Sequence, residues 1–280
     1  MSTRIGLAGL DSSHAEDFLR HFNLEGRHAG FRIAAITDGD AARMDALEAF
    51  GPGLERFDNL DLMLPAVDAV IVGHRHGDLH RDAAIASLAA GKPTFVDKPL
   101  ANSVADAEAI VAAADRHGSL LLSGSALRWQ AETARLKARL AGLDDDYHLM
   151  AYGTWYPDSE YGGAIFYAIH TVELVQELLG IEWKKLKVKN ASAPTVQFKT
   201  NGTVVSLEFR PLGPSGNSAF GVEVNGEGID FKQPISLGDD YMAPVAAKFA
   251  KAIQTGKACL SHEELLAPIR LMSEIDALLG

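Results

Sequence analysis

Three groups of residues in this chain have types and spacings suited to chemistry. The first is Lys98, in the stretch Thr94-Phe95-Val96-Asp97-Lys98-Pro99-Leu100 that follows Gly91-Lys92-Pro93. It reads as a helix stop, a short apolar strand, and a Lys-Pro step at the strand's carboxyl end. Ligands of doubly wound sheets bind at the carboxyl ends of the strands, so Lys98 is placed to polarise a hydroxyl or carbonyl; its plainer role is a solvated strand-end lysine. The second group is His170 with Glu173. Three residues apart on a helix, they share a face, and a carboxylate that orients an imidazole equips it for general acid/base work. The plainer role for His170 is a core or capping histidine. The third is Gly73-His74-Arg75-His76-Gly77-Asp78-Leu79-His80. Neutral imidazoles and a carboxylate are zinc ligands, so these residues raise a metal-dependent hydrolase as an alternative. The residue between Asp78 and His80 puts the ligands out of register, and no metal is assigned. His74, His76 and His80 then read as residues at a crevice mouth that touch cofactor or substrate.

A strand-turn-helix opens the chain: Ile5-Gly6-Leu7-Ala8-Gly9-Leu10-Asp11-Ser12-Ser13-His14. A dinucleotide fingerprint of the form Gly-x-Gly-x-x-Gly is expected in such a place. Gly9 fits the first glycine, Asp11 takes the second position and His14 the third. Asp11, Ser12 and Ser13 can cap the helix, and the Ser12 and Ser13 hydroxyls at a helix start can also meet a phosphate. Asp38 ends the second predicted strand. An acid there takes the ribose hydroxyls of NAD and disfavours the 2′-phosphate of NADP; capping the next helix is its other role, with Asp40 as rival. The candidate cofactor set is therefore Gly9, Asp11, Ser12, Ser13, His14, Asp38, His74, His76, His80, Asp97 and Lys98, with NAD expected and NADP possible.

The elements that must position these groups alternate. Strands at Ile5–Leu10, Phe31–Thr37, Val67–Val72 and Thr94–Val96 are separated by helical patterns, two of them opened by capping boxes, Ser13 to Glu16 and Ser103 to Asp106. Strand-helix alternation predicts a parallel sheet with helices on both faces. From Trp129 onward the pattern changes to two amphipathic helices, Trp129–Leu140 and His170–Leu179, and a run of strands with hairpin signals at Asn201-Gly202 and Asn225-Gly226. The expectation is an α/β chain: a Rossmann domain over residues 1–125 and an α+β domain with a largely antiparallel sheet over 126–280. The 280 residues carry 26 Lys and Arg against 37 Asp and Glu, a net charge of −11. That balance argues against nucleic acid or anionic membrane partners. A single cysteine, Cys259, excludes an internal disulfide framework and fits a reducing cytoplasm. The start of the chain lacks a signal-peptide pattern, and no apolar run reaches the roughly 18 residues of a membrane helix.

Taken together these motifs resemble the glucose–fructose oxidoreductase/inositol dehydrogenase (Gfo/Idh/MocA) family. The resemblance runs through the first strand-turn, His80, the Gly91-Lys92-Pro93…Asp97-Lys98-Pro99-Leu100 segment and Gly162-Gly163…His170-x-x-Glu173. It implies that Lys98 contacts the nicotinamide ribose and the substrate hydroxyl. It also implies that His170 is the acid/base in hydride transfer to or from a sugar or polyol. Asp97 replaces the family's usual glutamate. In the second motif Phe166, Ala168 and Glu173 stand where the family carries aspartate, glycine and aspartate. With those departures, a non-catalytic nucleotide- or sugar-binding protein is the other outcome. Arg128, Trp155, Tyr156 and Tyr161 are candidate substrate walls by position. Family members pair subunits through the second sheet, so a homodimer or larger homo-oligomer is expected.

Overall fold

The structure, a computed structural model, describes residues 2–143, 147–190, 194–213 and 218–279. The chain divides into two compact units, residues 1–124 with 240–265, and residues 125–239 with 266–280.

The first unit is a doubly wound sheet. Strands β1 (Thr3–Ala8), β2 (Phe31–Thr37), β3 (Glu55–Arg56), β4 (Ala69–Val72), β5 (Thr94–Val96) and β6 (Leu121–Ser123) lie parallel in the order β3-β2-β1-β4-β5-β6. Helices α1 (His14–Leu19, continued as a π-helical turn to Leu24), α2 (Ala41–Phe50), α3 (Leu60–Met63), α4 (His80–Ala89) and α5 (Val104–His117) connect them. Every residue of β4 and β5 is buried. Strands covered on both faces read as unbroken apolar runs rather than alternating ones. Ser103 caps α5 by accepting the Asp106 N–H, as its capping box predicts. The box expected at Ser13 does not form: no side-chain bond from Ser13 caps α1, and Glu16 is drawn instead to Arg43.

The unit boundaries differ from the contiguous 1–125 and 126–280 reading. Residues 240–265, with helix α8 (Ala243–Thr255), fall in the first unit. The physical reason is the apolar stripe of α8: Val245, Ala246, Phe249 and Ala250 are buried, and the Phe249 ring lies 5.9 Å from that of Phe95 on β5.

In the second unit, helices α6 (Ala131–Leu140) and α7 (Ile165–Leu179) accompany strands β7 (Tyr147–Trp155), β8 (Lys184–Asn190), β9 (Thr195–Thr200), β10 (Thr203–Pro211), β11 (Phe220–Gly226) and β12 (Ile229–Ile235). Their order is β12-β11-β7-β10-β9-β8, with β7 and β10 parallel and the other pairs antiparallel. Helix α7 lies close on β7, and a side chain at Gly153 would run into the Thr171 hydroxyl. Asn201-Gly202 turns the β9–β10 hairpin with both φ angles positive, as a two-residue hairpin turn requires. Asn225-Gly226 does not turn the next one. Both pair within the β11–β12 ladder, and the turn is Glu227-Gly228.

Candidate functional site

The carboxyl ends of β1, β2, β4 and β5 carry the first cluster. Gly9 follows β1 with φ +84, and a side chain there would come within 2.5 Å of the His74 backbone nitrogen. This glycine is needed because the β1 and β4 loops touch. Asp11, in the second fingerprint position, turns its carboxylate to the Arg75 backbone N–H at 3.0 Å, so it braces the β4 loop. Arg43 on α2 holds the β1–α1 turn. Its guanidinium donates to the carbonyls of Leu10 and Ser12 and forms a two-pronged pair with Glu16. The sequence reading missed Arg43; the available signal was Asp40-x-x-Arg43 at a helix start. Asp40 caps α2 by accepting the Arg43 N–H at 2.7 Å, which leaves Asp38 uncommitted to that cap. Asp38 lines a cleft of about 440 Å³ with Asp11, Ser13, Glu16, Gly39, Asp40 and Arg43. Ser12 is buried, and its hydroxyl accepts the His14 N–H.

His14 closes the turn by pairing with Asp97 across β5, Nδ1 to Oδ2 at 2.7 Å. Burial would raise the Asp97 carboxyl, but the charge and hydrogen bond of His14, with Lys98 beside it, outweigh burial and hold it at about 2. Lys98 is itself buried. Tyr241, ahead of α8, packs edge-on to the His14 ring at 5.7 Å. Burial pushes its phenol well above the ordinary value. Sequence alone offers no signal for Tyr241 here, since it lies more than 200 positions along the chain.

The three histidines of the β4 loop do different things. His80 is fully buried, and its two ring nitrogens face the carbonyl oxygens of Pro99 and His74 at 2.8 and 2.7 Å. It ties the β4 loop to the Lys98-Pro99 segment and has no lone pair aimed at a metal. His76 accepts the Asp78 N–H and caps a single 3-10 turn. His74 lies 3.8 Å from Asp38, and burial lowers its pKa. The zinc alternative therefore loses its ligand set. Among the described residues the group that converges closely enough for a metal is His21, Glu25 and Asp240. There the Arg27 guanidinium already bridges the two carboxylates, at 2.5 and 2.6 Å.

The second cluster lies within the second unit. His170 on α7 is half-buried, and its Nδ1 lies 2.6 Å from the Ser125 hydroxyl. Glu173, expected as the direct orienting partner of the imidazole, accepts the Ser125 backbone N–H at 2.7 Å and faces Arg128 at 3.6 Å. Arg128 also faces Glu177 at 3.6 Å, and its side chain is 1% exposed. It is thus a buried charge anchor and not the substrate wall that its position suggested. Phe166 sits among aromatic rings, 4.9 Å from Tyr161 and 4.8 Å from Tyr167. Tyr161 and Trp155, the latter 4.9 Å from Phe209, are packed on one side, while Tyr156 is exposed. Sequence reasoning also missed Ser125, which lies 45 positions from its histidine.

The fold is a Rossmann-type parallel sheet with an α+β second unit. Residues 3–125 match the Gfo/Idh/MocA family model, described as "Oxidoreductase family, NAD-binding Rossmann fold". Inositol 2-dehydrogenase of Paracoccus denitrificans is 32% identical over 131 residues, 46% of this chain and 38% of that protein. Inositol 2-dehydrogenase of Salmonella typhimurium is 25% identical over 197 residues, 67% of this chain and 58% of that one. The chain spans about half the length of the curated relatives it matches. Among solved structures, myo-inositol dehydrogenase from Lactobacillus casei, in complex with NAD(H) and myo-inositol, superposes with a TM-score of 0.79 at 17% identity, covering 100% of this chain and 96% of that one. UDP-N-acetylglucosamine 3-dehydrogenase from Acidithiobacillus ferrooxidans gives 0.76 at 17%, with 100% of both chains covered. At these identities the likeness speaks for the fold. Among the described residues no helix is long and apolar enough to cross a membrane.

Proposed function

We propose that this protein is an NAD-dependent oxidoreductase that moves hydride between nicotinamide and a sugar- or polyol-like substrate. The observation that carries the reading is Lys98, buried at the carboxyl end of β5 beside an Asp97 carboxylate locked to His14. The relatives named inositol 2-dehydrogenase support the substrate class.

The residues present fit the dinucleotide. The cleft beside Asp38 would take the adenosine ribose diol on that carboxylate, with Ser13 at its edge. Its lining holds four carboxylates, and its one guanidinium, Arg43, is engaged with Glu16. A 2′-phosphate would meet like charge there, which favours NAD over NADP. When bound, NAD supplies a hydride acceptor at nicotinamide C4, so that an alcohol carbon is oxidised to a carbonyl. Lys98 would hold the substrate oxygen with its ammonium and stabilise the negative charge that develops on it. His170 would take the hydroxyl proton in oxidation and return it in reduction.

The test is a panel of polyols and sugars, myo-inositol included, assayed with NAD and NADP by reduced-nicotinamide absorbance, alongside calorimetry of each cofactor. NAD binding at least ~10-fold tighter than NADP, about 1.4 kcal/mol, with turnover on a polyol, is the expected result. Absence of binding by either cofactor in folded protein overturns the proposal. Binding without turnover across the panel favours the non-catalytic reading, to which the aromatic setting of Phe166 lends its weight.

A further inference from the structure

We propose that Ser125 is the positioning residue of His170: its hydroxyl accepts the Nδ1 hydrogen and leaves Nε2 as the nitrogen that takes the substrate proton. The inference rests on the general-base reading of His170 given above.

Ser125 is fully buried and precedes the 3-10 turn Ala126–Trp129. A serine hydroxyl offers two acceptor sites and one hydrogen. The Leu127 N–H fills one acceptor site at 3.2 Å, and the hydroxyl oxygen lies 2.6 Å from His170 Nδ1. The main chain of Ser125 is anchored on the same helix that carries His170, because its N–H donates to Glu173 at 2.7 Å. Arg128, in the same turn, faces Glu173 and Glu177. The Ser125 main chain is therefore tied to α7 by a charge-assisted hydrogen bond, with the Arg128 guanidinium at ion-pair distance from the same carboxylate. Glu173 acts on the imidazole through this serine.

A neutral imidazole carries one N–H and one lone pair. With the hydrogen on Nδ1 and donated to Ser125, the lone pair is on Nε2. In the oxidation step the substrate O–H bond breaks and its proton forms the Nε2–H bond. The ring becomes imidazolium, and its Nδ1–H stays on Ser125. The hydride from the carbon that bears this hydroxyl would pass to bound NAD, and the imidazolium would later return its proton to water. Because the hydroxyl accepts from both ring forms, the pairing survives proton uptake. Because it is uncharged, it does not trap the imidazolium as a carboxylate does.

Long-range proton–nitrogen correlation spectra of the histidine rings test this without turnover, with the His170 signals identified by their loss in His170→Gln. In the folded wild-type protein above neutral pH, the Nδ1–H tautomer of His170 is expected to dominate. In Ser125→Ala the ring should move toward a tautomer mixture, and Ser125→Thr should restore it. A wild-type ring in the Nε2–H form overturns the proposal, and so does a tautomer unchanged in Ser125→Ala. If Ser125→Ala does not fold, the wild-type tautomer alone decides. In turnover of myo-inositol, or of whichever panel polyol reacts, Ser125→Ala should lower kcat on the order of 10- to 100-fold, with KM within about twofold and the pH profile displaced. Full activity in His170→Ala would remove the general-base reading itself. Loss in His170→Ala with full kcat in Ser125→Ala would remove only the role of Ser125.

Discussion

Two histidines in this molecule are each held at Nδ1, by partners of opposite character. His14 meets the buried Asp97 carboxylate at 2.7 Å, whereas His170 meets the Ser125 hydroxyl at 2.6 Å. The first pair sits on a buried carboxylate within a packed unit, with Lys98 beside it and Tyr241 packed edge-on to the ring. It locks the β1–α1 turn to the strand end that carries Lys98. The second pair is neutral on one side and can serve either protonation state of the ring. The difference separates a histidine tied to a buried carboxylate from one that, on the proposed reading, exchanges a proton with substrate.

The largest expected effect that sharpens this contrast is on turnover. His170→Ala should lower kcat/KM by roughly 10²- to 10⁴-fold with little change in the urea midpoint, read in parallel from kinetics and unfolding. Equal losses of stability and activity would break the comparison. His14→Ala should do the reverse to stability. Removing one partner of a buried pair costs about 3–5 kcal/mol, and the lower end applies because Lys98 still compensates Asp97. Urea unfolding monitored by tryptophan fluorescence measures it.

A smaller effect concerns acid. The Asp97 carboxyl stands at about 2 in the fold against an ordinary 3.8. A group lowered on folding contributes stability that is complete above its unfolded value and is lost as pH falls through the folded one. Stability should therefore drop by about 2 kcal/mol between roughly pH 4 and pH 2 on account of this residue. In Asp97→Asn that part of the acid limb should be missing from stepped-pH urea titrations. The smallest effect lies at the cleft edge: Asp38→Ala should narrow the preference for NAD over NADP by about tenfold, or 1.4 kcal/mol, with stability nearly unchanged. Calorimetry with both cofactors reads it.

Much of the first unit is legible in short windows of sequence. The strand expected over Val67–Val72 forms from Ala69 onward, and the Thr94–Val96 strand and the capping box at Ser103 form as read, each within a single element. Lys98 and His170 are legible as candidates for the same reason, since each follows a local signal. Where a choice depends on a neighbouring element, the local reading slips. Ser13 looks like a cap until Arg43 claims Glu16. Asn225-Gly226 looks like a turn until the β11–β12 register places both residues in the ladder. Glu173 looks like the partner of His170 until the chain brings Ser125 between them.

The sequence by itself determined the alternation of strands and helices, the family motifs and the acidic balance of the chain, because periodicity, caps and charge are properties of neighbours along the backbone. Only the tertiary structure decided the pairing of His14 with Asp97 across 83 positions, the clamp of Arg43 on the first turn, and the return of residues 240–265 to the first unit. Those contacts depend on which polar groups become buried together, and a buried polar group must find its partner wherever the packing of separate elements brings one within reach.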